Sequence, residues 1–280
     1  MSWQGITCAG RVFAPDMTKA YAGFKLSKAF PMVSELGFAI AAPVVARSWP
    51  SLQDQQVNLF HQLKFYDPAN RKRDRIVGSV AAVEFPTMPE GGWKLAKNAD
   101  DAPMIAGVMT LAKLADGMEE LLGSAQSGKQ NFTVSMECFS DKADSGFAVK
   151  MDTFRTTDLD WQWTPDDFKA QGWCYVPWDK ADAELRGVMK KSPEGIDIVT
   201  KYRQKPTVML QGGLNGEVHY AGVGLVNHGF EPSAELERIL AGVRGEVTEA
   251  EQVRELLAPV ENFVRETKKC IASLDNHARA

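Results

Sequence analysis

Alternating apolar and polar residues predict β-strands through the middle of the chain. In residues 131–138 the apolar side chains occupy every second position and polar side chains lie between them. A strand turns alternate side chains to opposite faces. We therefore expect Phe132, Val134, Met136 and Cys138 in the core and Thr133, Ser135 and Glu137 on an exposed polar face. Further strands are predicted from Val57 onward, at 76–83 and 105–111, and as a strand pair at 218–226.

Near the C-terminus the spacing of apolar residues changes to that of helices. Ser233 precedes a run containing Leu236, Ile239, Leu240 and Val243, and Thr248 with Glu251 forms a capping box before a second apolar run. The pattern predicts a helical tail over 233–280. Together with the strands, it predicts an α+β fold with flanking helices.

Prolines and tryptophans suggest how the rest of the chain is organised. Four prolines interrupt residues 1–56, which predicts an irregular arm on the surface with a short strand at 44–46. Residues 57–232 then form the main domain. Four of the seven tryptophans lie between 158 and 178, which indicates an inserted subdomain at about 152–206.

Composition and charge exclude several classes of protein. The 280 residues are 44% hydrophobic and 24% charged, as in globular proteins, and the net charge of -4 disfavours nucleic acid as a partner. No apolar run reaches the ~20 residues of a membrane span, and the first residues lack a secretory signal, so a cytosolic origin is expected. The four cysteines are far apart and the four histidines lack ligand spacing. We expect reduced thiols, no metal and no cofactor.

Two glycine-containing segments resemble nucleotide-binding motifs only in part. Residues 123–129 match the start of a phosphate-binding loop, but Gln130 occupies the position where Ser or Thr must contact magnesium. Gly222 and Gly224 lack the third glycine of a dinucleotide fingerprint and do not open a helix. Nucleotide binding is therefore not predicted.

Several short segments, taken in order, resemble the prohead maturation proteases of tailed bacteriophages. They are Asn58-Leu59-Phe60-His61, Arg75-Ile76-Val77-Gly78-Ser79-Val80, Val134-Ser135-Met136-Glu137, and His219 to Val226 followed by Phe230-Glu231-Pro232. The last element departs from the family's Ala-Glu-Pro. The resemblance covers about 57–234. It implies a β-barrel-like sheet similar to that of herpesvirus capsid-assembly proteases.

The resemblance also implies a serine endopeptidase with Ser135 as nucleophile and His61 as general base. A serine hydroxyl needs such a base at neutral pH, and histidine is the usual one. Asp101 and Asp152 are the candidates for the third member, and backbone N–H groups at 127–130 are candidate oxyanion donors.

The implied role is cleavage of scaffold and major capsid proteins within an assembling phage head in the host cytoplasm, with self-association. One alternative is a structural virion protein, such as a capsid, decoration or tail component, that retains the protease fold. A second is a cytosolic serine hydrolase of other purpose.

Residues 247–250, Val-Thr-Glu-Ala, suggest a site of self-processing. Proteases of this kind often cut after an apolar-x-Glu sequence, so trimming after Glu249 would release residues 250–280. In the precursor that segment would anchor the enzyme to scaffold or capsid helices. The same residues also fit the helix capping box, and this structural interpretation stays open.

Overall fold

The computed structural model describes residues 5–15, 19–59, 76–112, 118, 132–151, 159–192, 195–202 and 206–241. These residues form a mixed α+β structure that is mostly sheet, with few helices. The strands are β1 Ile6–Cys8, β2 Arg11–Phe13, β3 Lys19–Leu26, β4 Phe38–Ala39, β5 Gln56–Leu59, β6 Ile76–Glu84, β7 Ile105–Ala112, β8 Thr133–Phe139, β9 Gly146–Lys150, β10 Trp173–Pro177, β11 Met189–Lys191, β12 Asp197–Val199, β13 Thr207–Leu210, β14 His219–Val226 and β15 Glu235–Ala241.

The helices within the described ranges are short. They are α1 Ala42–Ser48, α2 Asp166–Ala170 and α3 Ala183–Arg186, with 3-10 turns at Trp49–Leu52 and Trp178–Lys180. None of the helices in the described ranges has the length and apolar character that crossing a membrane requires.

The main sheet has seven strands in the order β15-β3-β7-β6-β5-β14-β8 and is nearly closed, because β8 comes back close to β3 and β15. Its neighbours pair antiparallel except for β5 and β14, which are parallel. In β3, Ala20, Ala22, Phe24 and Leu26 alternate along the strand and are fully buried. The inside of this barrel-like sheet is therefore the main apolar core, which α1 and the turn after it also help to form.

A second sheet has four strands in the order β10-β9-β13-β4. Apolar clusters cover both of its faces: Phe147 and Val149 of β9 belong to one, and Ala148 belongs to the other. Trp161 and Trp178 pack on the first cluster, and Trp163 and Trp173 on the second. The tryptophans thus have a structural role, since they shield a small sheet from water.

The structure corrects the predicted organisation in three places. Residues 1–56 are not a surface arm, because β3 lies inside the main sheet and pairs with β7 and β15. Residues 44–46 lie in α1 rather than in a strand. The second sheet also takes strands from outside 152–206, namely β4, β9 and β13.

The first part of the predicted helical tail is wrong as well. Residues 235–241 form β15, which pairs antiparallel with β3 and has a bulge between Leu236 and Ile239. A bulge adds one residue to the strand, so two side chains three positions apart can share a face. This imitates the spacing of a helix. Residues 242–280, including Glu249, lie outside the described residues.

Candidate functional site

The strand that carries Ser135 has the predicted residue alternation. β8 pairs with β14, which pairs with β5, so that Ser135 lies opposite Gly224 and Gly224 lies opposite Asn58. The neighbouring row contains Glu137, Gly222 and Gln56. Residues paired across a sheet share a face. We call the face formed by these six residues, Gln56, Asn58, Ser135, Glu137, Gly222 and Gly224, the Ser135 face.

The opposite face of the same three strands belongs to the main core. Val134, Val223 and Val57 are each 0% exposed there. The prediction that Ser135 and Glu137 lie on a different face from Val134 is therefore confirmed.

The predicted exposure of Ser135 is wrong. Ser135 is only 5% exposed, Glu137 8% and Asn58 2%, so the Ser135 face is buried although its side chains are polar. The alternation of a strand determines which side chains share a face, but not whether other parts of the chain cover it. A nucleophile at Ser135 would therefore act within a buried, polar environment.

Asn58 and Glu137 meet across the strand between them. The Asn58 side-chain Nδ2 donates to the Glu137 Oε2 at 3.0 Å, although β5 and β8 are not neighbours. The intervening strand has glycine at this point. A Cβ on Gly222 would lie 2.9 Å from Glu137 Oε2 and 2.9 Å from the backbone oxygen of Gln56. The Gly-Val-Gly sequence therefore makes room for this bridge.

The other polar atom of the Asn58 side chain has no partner. Among the described residues, Oδ1 of Asn58 is the buried side-chain oxygen or nitrogen that lacks a hydrogen bond. Leaving a buried acceptor unpaired costs about 1–3 kcal/mol. A carboxylate accepts hydrogen bonds and does not donate them, so the Nδ2 end of the Asn58 amide, and not the Oδ1 end, faces Glu137. The Oδ1 atom consequently faces away from Glu137.

Of the other predicted site residues, Asp101 alone lies among the described residues. His61, Asp152 and residues 127–130 lie outside the described residues. Asp101 is exposed on the loop before β7, where its carboxylate accepts from Asn98 Nδ2 at 2.7 Å and its backbone N–H donates to Asn98 Oδ1 at 3.0 Å. The described contacts thus bring Asn58 and Glu137, not Asp101, onto the face of Ser135.

A second buried polar cluster lies on the core side of β14. The Glu231 carboxylate accepts hydrogen bonds from the backbone N–H groups of Ser27 at 2.8 Å and Lys28 at 2.7 Å, and from the Ser233 hydroxyl at 2.8 Å. The Ser27 and Tyr220 hydroxyls are 2.6 Å apart. The hydrogen bonds of Glu231 therefore connect the segment after β14 with the segment after β3.

Burial dominates the ionisation of this cluster. It raises the pKa of Glu231 above its ordinary value, against the opposing effect of its hydrogen bonds. It also raises the pKa of the Cys138 thiol to about 12, with a smaller contribution from the charge of Glu231. A thiol with that pKa stays protonated at neutral pH, so Cys138 is not an activated nucleophile.

Sequence reasoning missed Asn58 and Glu137 as members of one site. Both lie within segments quoted for the resemblance, but nothing local in the sequence shows that their strands lie two apart in one sheet. The signal that would have found them is the glycine pair, Gly222 and Gly224, inside an otherwise apolar strand, which indicates close approach by other groups.

Comparisons of the chain with protein-family models, with curated proteins and with solved structures give no match. In the described part of the chain, no group of three or more His, Cys, Asp or Glu side chains is arranged to hold a metal ion.

Proposed function

We propose that the protein is a serine endopeptidase of phage head maturation, with Ser135 as nucleophile and His61 as general base. The observation that carries the proposal is the register of β5, β14 and β8, which sets Ser135 in one row with Asn58. Asn58 is three residues before His61 in the sequence. The proposed fold is the barrel of the herpesvirus capsid-assembly proteases.

The dimensions of the sheet give the distance that this pairing must cover. Adjacent strands are about 4.8 Å apart, so Asn58 and Ser135 are separated by roughly 10 Å across β14. The two residues from Leu59 to His61 can extend the chain by at most about 7 Å. The proposal therefore requires the chain after Leu59 to turn and bring the His61 side chain across the remaining distance to Ser135.

The proposed substrates are segments of scaffold and major capsid proteins, cut inside the assembling head in the host cytoplasm. Reaction there requires an activated serine, an adjacent base and donors for the oxyanion. It also requires access for the peptide, because Ser135 is 5% exposed.

That burial is the observation that favours the alternative function, a structural virion protein that retains the fold without cleaving peptides. A nucleophile that no reagent reaches is indistinguishable from a structural serine. Reactivity of the hydroxyl therefore separates the two proposals.

The test is labelling by an alkyl fluorophosphonate, followed by peptide mapping and by cleavage of a co-expressed scaffold protein. We expect a single label on Ser135. Ser135→Ala should lose the label and lower cleavage by at least about 10³-fold. Ser79→Ala is the matched control, since it removes an exposed hydroxyl from β6 of the same sheet. An unlabelled wild-type protein that leaves the scaffold intact would support the structural role instead.

A further inference from the structure

The unpaired oxygen of Asn58 indicates that the Ser135 face receives a hydrogen-bond donor. Asn58 is only 2% exposed. Its Nδ2 donates a hydrogen bond to Glu137, and its Oδ1 has no partner among the described residues. Buried polar groups in native proteins are nearly always paired, so an unpaired acceptor on the same sheet face as a candidate nucleophile calls for an explanation.

We infer that Asn58 is a substrate-binding residue of the Ser135 site: its Oδ1 accepts a backbone N–H of a bound peptide, and Glu137 is the positioning residue that orients its amide. The inference rests on the proposed function, since it assumes that a peptide enters this site. It adds the group that would hold the peptide backbone.

The chemistry of the neighbouring side chains favours a backbone amide as the donor. Asn58 Oδ1 is a neutral acceptor, and the Glu137 carboxylate already accepts a hydrogen bond from the Nδ2 of the same amide. A cationic donor would be attracted to the carboxylate of Glu137 rather than to a neutral carbonyl. A peptide N–H is neutral and matches a single carbonyl acceptor.

The hydrogen bond between Asn58 and Glu137 explains why Asn58 Oδ1 is free to accept a hydrogen bond from a substrate. If Asn58 rotated so that Oδ1 faced Glu137, two acceptors would oppose each other. Glu137 therefore selects one orientation, and no hydrogen bond must break when a substrate N–H arrives. Such preorganisation lowers the cost of binding.

The experiment uses the full chain and a diphenyl phosphonate that carries the acetylated tripeptide Val-Thr-Glu, the sequence of residues 247–249. Three analogues each replace one N–H of the peptide by an ester oxygen, which removes a donor without adding bulk. The measured quantity is the rate at which each probe labels Ser135, and the alkyl fluorophosphonate serves as a probe without peptide N–H groups.

With wild-type protein, we expect one ester analogue to react at least tenfold more slowly than the parent probe. In Asn58→Leu the parent probe should show the same loss, and that ester should cause no further loss. Each rate is divided by the rate at which fluorophosphonate labels the same protein, so that a general loss of Ser135 reactivity in Asn58→Leu is not counted as a loss of peptide recognition. Asn58→Ala is the second variant if Asn58→Leu does not fold, as judged by circular dichroism.

The positioning role of Glu137 is tested by comparing a conservative substitution with a truncation. Glu137→Gln retains an oxygen that accepts from Asn58 Nδ2, so it should preserve the selectivity between the parent probe and the sensitive ester. Glu137→Ala removes that acceptor and should reduce this selectivity by at least threefold.

The two proposals fail in different ways. If fluorophosphonate does not label Ser135 in the wild-type protein, the proposed function fails. If it labels Ser135 but the peptide probe does not react, or if every ester slows the wild type and Asn58→Leu equally, Asn58 is not the acceptor of a substrate N–H and the inference is overturned.

Discussion

Gly222 shows how one missing side chain organises its surroundings. Its neighbours on either side, Gln56 and Glu137, lie so close that a Cβ would come within 2.9 Å of an oxygen of each. The Asn58–Glu137 hydrogen bond can cross β14 only because this position carries no side chain. The glycine is therefore part of the buried polar site, although it has no functional group.

Gly222→Ala is expected to lower the free energy of unfolding by about 1–3 kcal/mol, because the methyl group overpacks the space used by Glu137. Urea denaturation measures the change. In a Glu137→Ala background the same substitution should cost less, since one of the two close oxygens is gone. An equal cost in both backgrounds would show that the carboxylate is not what the methyl group meets.

The buried carboxylate of Glu231 makes a second prediction, on pH. Its pKa is raised in the folded protein, chiefly by burial. The folded state therefore holds the proton more tightly than the unfolded state, and the associated stability is present below the ordinary pKa of about 4.5 and lost as pH rises through the raised value.

Glu231→Gln cannot ionise, so it provides the comparison. The free energy of unfolding of the wild type, relative to that of Glu231→Gln, should fall as the pH rises above about 4.5. Chemical denaturation at several pH values measures this. A difference that stays constant across the range would contradict a raised pKa at this carboxylate.

At the scale of single elements, β8 and β15 show what a local pattern can and cannot predict. The alternation in β8 correctly divides Val134 from Ser135, because side-chain direction in a strand is a local property. It could not predict the burial of Ser135, which depends on segments distant in sequence. In β15 the bulge gives Leu236 and Ile239 a spacing that also fits a helix, and only the pairing with β3 decides between the two.

The pairing of β15 with β3 can be tested by a cross-strand disulfide. Glu235 lies directly opposite Lys25, and paired strand residues have Cα atoms about 4.5–5.5 Å apart, within the range of a disulfide. The double variant Lys25→Cys with Glu235→Cys should form the bond under mild oxidation, as detected by peptide mapping. The control is Lys19→Cys with Glu235→Cys. Lys19 lies at the end of β3 away from Glu235, so this pair should not form a disulfide. A helix at 235–241 would place no fixed residue opposite Lys25.

At the scale of the whole molecule, the first 56 residues contribute to both sheets. β3 belongs to the main sheet, whereas β4 pairs in parallel with β13 in the second sheet. The prolines in this region correctly indicate interruptions, but they do not show where the pieces pack. Pairings such as Phe38 with Met209 join residues far apart in sequence, and no pattern within either segment contains that information.

Deletion of residues 1–56 should therefore abolish cooperative folding, since it removes β3, β4 and α1. Deletion of residues 1–15 removes only the two-stranded sheet of β1 and β2, and the shortened protein should still unfold cooperatively. Thermal unfolding followed by circular dichroism distinguishes the two. A cooperative transition in the longer deletion would restore the surface arm as the correct description.

The position of β3 between β7 and β15 also affects the order of events during synthesis. β15 begins about 200 residues after β3 ends, which at ~5–20 residues per second corresponds to about 10–40 s of translation. During that time one edge of β3, with Ala20, Ala22 and Phe24 along it, has no strand beside it. An open strand edge pairs readily with other chains. A nascent chain on the ribosome is thus prone to association through β3 until β15 has been made.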